Sequence, residues 1–163
     1  MVHLFPGHYT SDSFGAGAVS YNGSVIVGEH PQPNQFAAFR WTATQGMKQL
    51  PMNIASALTA DGLMVAGGDN WWKTSGKTGI FGPFHGEQDQ TAAFGLSGTS
   101  QSPVAVGASI KGSDQFGPTF HAFRWTPRGG LQDLGLTTGT VAAMLVVVLV
   151  GVNPAGGTCP VAT

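Results

Sequence analysis

Short apolar runs, broken by glycine and polar turn residues, recur along this chain. Ala18-Val19-Ser20-Tyr21-Asn22-Gly23-Ser24-Val25-Ile26-Val27-Gly28 reads as strand, turn, strand. Asn-Gly between apolar runs predicts a hairpin, because a type I′ turn needs positive φ at both central residues. Ala57-Leu58-Thr59-Ala60-Asp61-Gly62-Leu63-Met64-Val65-Ala66-Gly67 repeats the pattern with Asp-Gly. A third copy runs from Gly95 to Gly107 with a longer turn, and Val147-Val148-Leu149-Val150-Gly151 reads as a degraded fourth. The closing glycines Gly28, Gly67, Gly107 and Gly151 are spaced 39, 40 and 44 residues apart.

A second element recurs on the same period. Ala38-Phe39-Arg40-Trp41-Thr42 has a twin in His121-Ala122-Phe123-Arg124-Trp125-Thr126. Gly46-Met47-Lys48-Gln49-Leu50 follows the first, and Gly130-Leu131-Gln132-Asp133-Leu134 follows the second. A strand period of two sets Phe39 and Trp41, like Phe123 and Trp125, on one face and the arginine on the other. If the units stack face to face, Arg40 and Arg124 need an acidic partner on the next unit, since an unpaired buried guanidinium is costly. Each unit thus reads as four short strands in about 40 residues, the size of one propeller blade. The expected fold is all-β, with β-propeller-like repeats; a β-solenoid or another repeat β array is the competing form. The units fall at about 14–52, 53–92 and 93–135, with a degraded fourth at 136–163. The structural core is Phe39, Trp41, Phe123 and Trp125 with Gly28, Gly67 and Gly107.

The second unit is irregular. Its aromatic strand falls either at 79–84 or at 91–94. Residues 68–90 are the longest stretch without a clear strand pattern, and long loops inserted in repeats tend to lie on a binding face. At the start, Val2-His3-Leu4-Phe5-Pro6-Gly7 resembles the end of a unit. A last strand given by the N-terminus to a unit begun by the C-terminus would close a ring and remove sheet edges.

These two motifs together resemble the bacterial HAF repeat family, named for the tripeptide that stands here as His121-Ala122-Phe123. Residues 14–51 and 95–135 match well, 55–90 match in the hairpin alone, and 136–163 barely match. The resemblance implies a propeller-like domain outside the cell or on its surface, and it brings no catalytic residues.

Composition narrows the function. Charged residues are 9% of the chain, against roughly 25% in an average domain, and 25 of 163 residues are Gly. That balance suits strands and turns over a helical bundle. Seven basic residues without a cluster exclude electrostatic capture of nucleic acid. The lone Cys159 gives neither a disulfide framework nor a metal cluster. No signal peptide is legible at the start. Residues 141–152 are apolar or Gly, short of the roughly 20 needed to span a membrane; a buried strand pair is the expectation for this uncharged tail, with a membrane anchor or a disordered tail as the alternatives.

Trp71-Trp72 are the candidate ligand-binding residues. In a loop both rings would be exposed, as a stacking platform for a sugar or an anchor for a protein; in a strand they would point to opposite faces. The competing reading is that they cover the core. Asp69, Glu87 and Asp89 are the candidate carboxylates of a glycosidase-like pair, while Asp61 and Asp133 suit turns. Gly76-Lys77-Thr78 lacks the earlier glycine of a phosphate loop, since position 71 is Trp. Ser97 misses a nucleophile elbow by one position. His3, His8, His30, His85 and His121 show no zinc spacing. No metal or cofactor is expected. The expected function is that of a non-catalytic extracellular or surface repeat domain, structural or adhesive. Its partner would be a protein or glycan, with self-association through open sheet edges. The alternatives are a carbohydrate-active enzyme and a polymer subunit completed by strand addition.

Overall fold

The computed structural model describes residues 15–33, 35–83, 91–115 and 117–135. They form an all-β structure of three antiparallel sheets with four strands each. Sheet A holds β1 (Gly15–Val19), β2 (Val25–Gln32), β3 (Gln35–Thr42) and β4 (Gly46–Gln49). Sheet B holds β5 (Ala57–Leu58), β6 (Met64–Gly67), β7 (Asn70–Lys73) and β8 (Thr78–Ile80). Sheet C holds β9 (Thr91–Thr99), β10 (Ser102–Asp114), β11 (Gly117–Thr126) and β12 (Gly130–Gly135). In each sheet the strands lie side by side in chain order. Sheet C starts at Thr91, slightly ahead of the boundary expected from the repeat.

The first hairpin of sheet A is longer than the two-residue type I′ turn the Asn-Gly pair predicts. Residues 20–24 separate β1 from β2, and the Gly23 amide donates to the Ser20 carbonyl at 2.9 Å, with Gly23 at φ 73°. The extra length is held by the residue that opens the turn. Ser20 Oγ accepts the Val25 amide at 2.9 Å and bonds Asn22 Oδ1 at 2.9 Å, while Asn22 Oδ1 accepts the Ser24 amide at 3.0 Å. Sheet B repeats this lock atom for atom. Thr59 Oγ1 accepts the Met64 amide at 3.1 Å and donates to Asp61 Oδ1 at 2.5 Å, and Asp61 Oδ1 accepts the Leu63 amide at 3.1 Å. Ser20 and Thr59 are buried. The buried hydroxyl satisfies a strand amide that the turn would otherwise orphan.

The closing glycines have one steric cause in all three units. A Cβ on Gly28 would fall onto the carbonyl oxygen of Gly15, one on Gly67 onto that of Ile54, and one on Gly107 onto that of Ala92. In sheets A and C the pairing register shifts beside this glycine, between Ala16 and Ala18 and between Val106 and Gly107. In sheets A and C the bulge brings the first-strand carbonyl against the second strand, in sheet B the Ile54 carbonyl ahead of β5 takes that place, and only a residue without Cβ fits there.

Register also places the second unit's third strand. Gly28 pairs Phe39, Gly67 pairs Asn70, and Gly107 pairs Phe123. Asn70-Trp71-Trp72-Lys73 therefore stands where Phe39-Arg40-Trp41-Thr42 and Phe123-Arg124-Trp125-Thr126 stand. Neither location expected for this strand holds: Thr78–Ile80 is the fourth strand of sheet B, and Thr91 opens sheet C. Trp72 is the counterpart of Trp41 and Trp125, and Trp71 occupies the arginine position.

Two apolar cores lie between the sheets. One joins sheets A and B through Val25, Val27, Ala38, Leu50, Met52, Ala55, Leu58 and Val65, with Trp72 against it. The other joins B and C through Met64, Ala66, Phe81, Ala93, Ala105, Phe123 and Trp125, with Trp71 against it. Sheet B is thus covered on both faces, and β6 is buried at every residue. Each Phe123 or Trp125 side chain faces the preceding sheet. Phe39 and Trp41 lie, by alternation with Ala38, on the face of sheet A turned away from sheet B, where Phe39 is fully buried.

The same kinds of link cross both junctions. Arg40 Nε donates to the Gly62 carbonyl at 3.4 Å, and Lys73 Nζ donates to the Ser100 carbonyl at 2.6 Å. Each time a cation of the third strand reaches a carbonyl of the next unit's hairpin turn. The expected acidic partner for Arg40 is thus replaced by backbone, and Arg124 donates to Gln132 Oε1 at 2.9 Å within its own sheet. Burial holds the Arg40 guanidinium below its ordinary pKa. Backbone links add to this: Tyr21 N to Ala60 O at 3.3 Å, Ala60 N to Gly98 O at 3.0 Å, and Ala93 N to Gly68 O at 2.8 Å. Asp61 Oδ2 accepts the Ser100 amide at 2.8 Å, so one carboxylate serves its own turn and the next.

Asp61 makes this junction acid-sensitive. Burial raises its pKa, but the bonds from Thr59, Ser100 and Leu63 outweigh it and leave the pKa below the ordinary 3.8. A carboxyl depressed in the folded state stabilises above the unfolded value, and that stability is lost as pH falls through the folded value. Below pH 3.8 the wild type should therefore lose melting temperature more steeply than Asp61→Asn. Parallel curves for the two proteins would remove this role from Asp61.

Candidate functional site

Trp71 and Trp72 lie on β7, within the stretch expected to lack strands, and as strand neighbours they point to opposite faces. Both are half-buried. The Trp71 ring sits 6.4 Å from that of Trp125, and its flank lies where a Cβ on Gly79 would fall. Lys73 Nζ is 5.8 Å from the Trp71 ring centroid, a cation–π distance. Trp71 Nε1 is buried and has no hydrogen-bond partner among the described residues. This geometry ties each ring to a core and does not make them one exposed platform. Trp71→Ala should cost about 2 kcal/mol or more, since a packed tryptophan costs about 3–5 kcal/mol when fully buried. A melting temperature within a degree of wild type would restore Trp71 to the role of a free binding surface.

Two clefts open where the chain passes from one unit to the next. The first, about 480 Å³, is lined by Gly15, Gly17, Gly28, Glu29, Phe36 and Ser56 among others. It is an open surface depression, not an enclosed pocket. Register puts Glu29 opposite Ala38 and Phe36 opposite Pro31, so both lie on the face turned toward sheet B. Phe36 is 46% exposed, and Phe36 and Glu29 both line this opening. An aromatic face beside a carboxylate suits a ligand with both an apolar face and hydroxyl or amine donors. Sequence reasoning missed this pair. Its signal was the polar residue directly after a closing glycine, Gly28-Glu29.

The second cleft, about 300 Å³, is lined by Asn53, Asp69 and Asn70 with Pro51, Met52, Ile54, Gly67 and Gly68. Asp69 accepts a hydrogen bond from Asn70 Nδ2. Glu87 and Asp89, the other carboxylates of the glycosidase-like reading, lie outside the described residues, as do His3, His8, His85 and Cys159. The strand expected at the N-terminus and the fourth unit at 136–163 lie outside them too.

Four polar residues form a row on the inner face of sheet C. Thr91 pairs Ser109, and Ser109 pairs His121. Thr91 and Ser109 share a hydrogen bond of 2.8 Å, and Thr91 Oγ1 donates to the Gly82 carbonyl at 3.0 Å. His121 Nδ1 meets Asp133 Oδ1 at 3.0 Å. Asp133 Oδ1 also accepts the Gly135 amide at 2.7 Å, the turn role expected of it. A histidine oriented by a carboxylate beside a serine invites a hydrolytic reading, but the Ser109 hydroxyl is buried and engaged with Thr91. His30 is buried, with its Nδ1 3.4 Å from Gln32 Nε2. Among the described residues no group of three or more His, Cys, Asp or Glu side chains gathers to hold a metal. Gly76-Lys77-Thr78 lies at the hairpin from β7 to β8, where Gly76 N donates to Lys73 O at 2.9 Å and Gly76 has φ 84°. Ser97 lies within β9, opposite Val104.

Among the described residues no helix is long and apolar enough to cross a membrane. No family model, curated protein or solved structure matches the chain.

Proposed function

We propose that the chain is a non-catalytic, propeller-like repeat domain with a structural or adhesive role outside the cell or at its surface. The observation that carries this reading is the repetition of the A–B junction at B–C: an apolar core, a turn-to-turn backbone bond, and a cation on the next turn's carbonyl. Such a stack is a rigid scaffold that presents its loops and clefts in register. The HAF resemblance of 14–51 and 95–135 supports the location. The cleft with Glu29 and Phe36 is the adhesive subsite, and its class of ligand is a glycan or a protein segment with an exposed ring.

The test is retention of soluble polysaccharides and matrix proteins on the immobilised full chain, with reducing ends assayed in the same samples. The reading expects retention of at least one polymer without new reducing ends. Phe36→Ala should weaken it about tenfold, or ~1.4 kcal/mol, at unchanged melting temperature. Release of reducing ends that Asp69→Asn abolishes would replace it with the carbohydrate-active reading.

A further inference from the structure

We propose that the face of sheet C turned away from sheet B docks a fourth unit of the same design, supplied by the chain that follows Gly135. This rests on the reading of the chain as a line of like units. Register gives every sheet one face toward the next. In sheet A it carries Val25, Val27, Ala38 and Arg40, and sheet B covers it: Val27 and Ala38 are 0% exposed. In sheet B it carries Met64 and Ala66, covered by sheet C and again 0% exposed. In sheet C the same positions hold Val104, Val106, Ala122 and Arg124, and none of the four is buried. On the same face Phe120 is 46% exposed. A surface that is core in two units is half-buried at Val104, Val106 and Ala122 and exposed at Arg124 in the third.

Charge and connection point to the occupant. Arg40 and Lys73 each reach the carbonyl of a following hairpin turn, and Arg124 is the third-strand cation of sheet C. The chain passes from the last strand of one sheet to the first of the next through 50–56 and 81–90. Beyond Gly135 there are 28 residues; the connection and first three strands of sheet B take 24 (50–73) and its fourth strand brings that to 31 (50–80), so 136–163 has room for the first three strands of such a unit. Residues 136–163 lie outside the described residues; their sequence carries no charge and sets Gly151 44 residues after Gly107. Leu149 stands two before that glycine, as Val65 and Ala105 do, and those two face the preceding sheet. Val148 stands where Met64 and Val104 stand, on the opposite face.

The experiment is thiol labelling of the full chain by a maleimide, with Cys159→Ser removing the native thiol and single cysteines at Val106, Val27 or Gln45. A side chain reached only by local opening should label about tenfold or more slower than an exposed one. Val106→Cys and Val27→Cys should both be slow relative to the exposed turn variant Gln45→Cys. Adding Leu149→Asp should raise the Val106→Cys rate about tenfold, whereas Val148→Asp should change it less than about twofold. A fast Val106→Cys beside a slow Val27→Cys would overturn the proposal alone. A fast Val27→Cys would overturn the stack itself. Protection at 106 that ignores Leu149→Asp would assign the cover to another part of the chain, and protection that fades on dilution would assign it to a second copy; both overturn the proposal.

Discussion

Phe123→Ala is expected to cost about 3–5 kcal/mol, the range for removing a buried aromatic. Phe123 is 0% exposed and packs 6.2 Å, ring to ring, from Phe81. Phe81 in turn meets Trp125 edge-on at 5.0 Å, so the three rings form one cluster. That cluster joins sheet C to sheet B, and the cavity cannot collapse without moving a whole sheet. For a domain of this size each kcal/mol shifts the melting temperature by roughly 2–4 °C, so a fall of about 6–20 °C should appear in a thermal scan. Trp125→Ala combined with it should unfold the domain. Tyr21, 78% exposed, is the control, and Tyr21→Ala should stay within about 0.5 kcal/mol of wild type. A folded, equally stable Phe123→Ala protein would remove Phe123 from the core.

Gly107→Ala should be nearly as damaging, at about 3 kcal/mol, the upper part of the range for overpacking. Its new methyl would fall onto the Ala92 carbonyl and also within 2.8 Å of the Phe123 ring. Neither neighbour can yield: one is backbone in the β9–β10 ladder, the other the centre of a core. Gly46→Ala gives the contrast. Gly46 has open space around it but a φ of 65°, so its cost is the left-handed backbone alone, about 1–2 kcal/mol. Chemical denaturation curves of the two variants separate the causes. A Gly107→Ala protein as stable as Gly46→Ala would show that the bulge can shift, and the account of the period would fail.

The all-β class was legible because local signals were strong. The Asn-Gly and Asp-Gly pairs mark hairpins that exist, and the alternation in Phe39-Arg40-Trp41 and Phe123-Arg124-Trp125 marks real third strands. The turn type was not legible, because Ser20 and Thr59 close the turn from outside the dipeptide. Their hydroxyls substitute for strand pairing, and serine or threonine beside a turn also has many blander uses. The second unit's third strand was hidden by substitution. Asn70 and Trp71 replace Phe and Arg, and only the pairing of Gly67 with Asn70 reveals the equivalence. Trp71 and Trp72 looked like a loop feature for the same reason. The arginine links needed three dimensions: Gly62 lies 22 residues from Arg40, and its bonding atom is a carbonyl that no sequence pattern displays. The cleft at Glu29 and Phe36 joins residues on two strands with Ala55 and Ser56 from the next unit's approach. The polar residue after the closing glycine, Gly28-Glu29, was the one local signal, and it does not show that Phe36, Ala55 and Ser56 meet it.

The three four-stranded sheets pack through an A–B core and a B–C core. Nuclear Overhauser contact mapping of the full chain in solution reads both packings at once. Contacts are expected from the Trp125 ring to the rings of Trp71 and Phe81, and from the Trp72 ring to the core of Val25, Val27 and Val65. Cross-strand contacts within each sheet that persist without those ring contacts would contradict this packing, leaving three sheets and no stack.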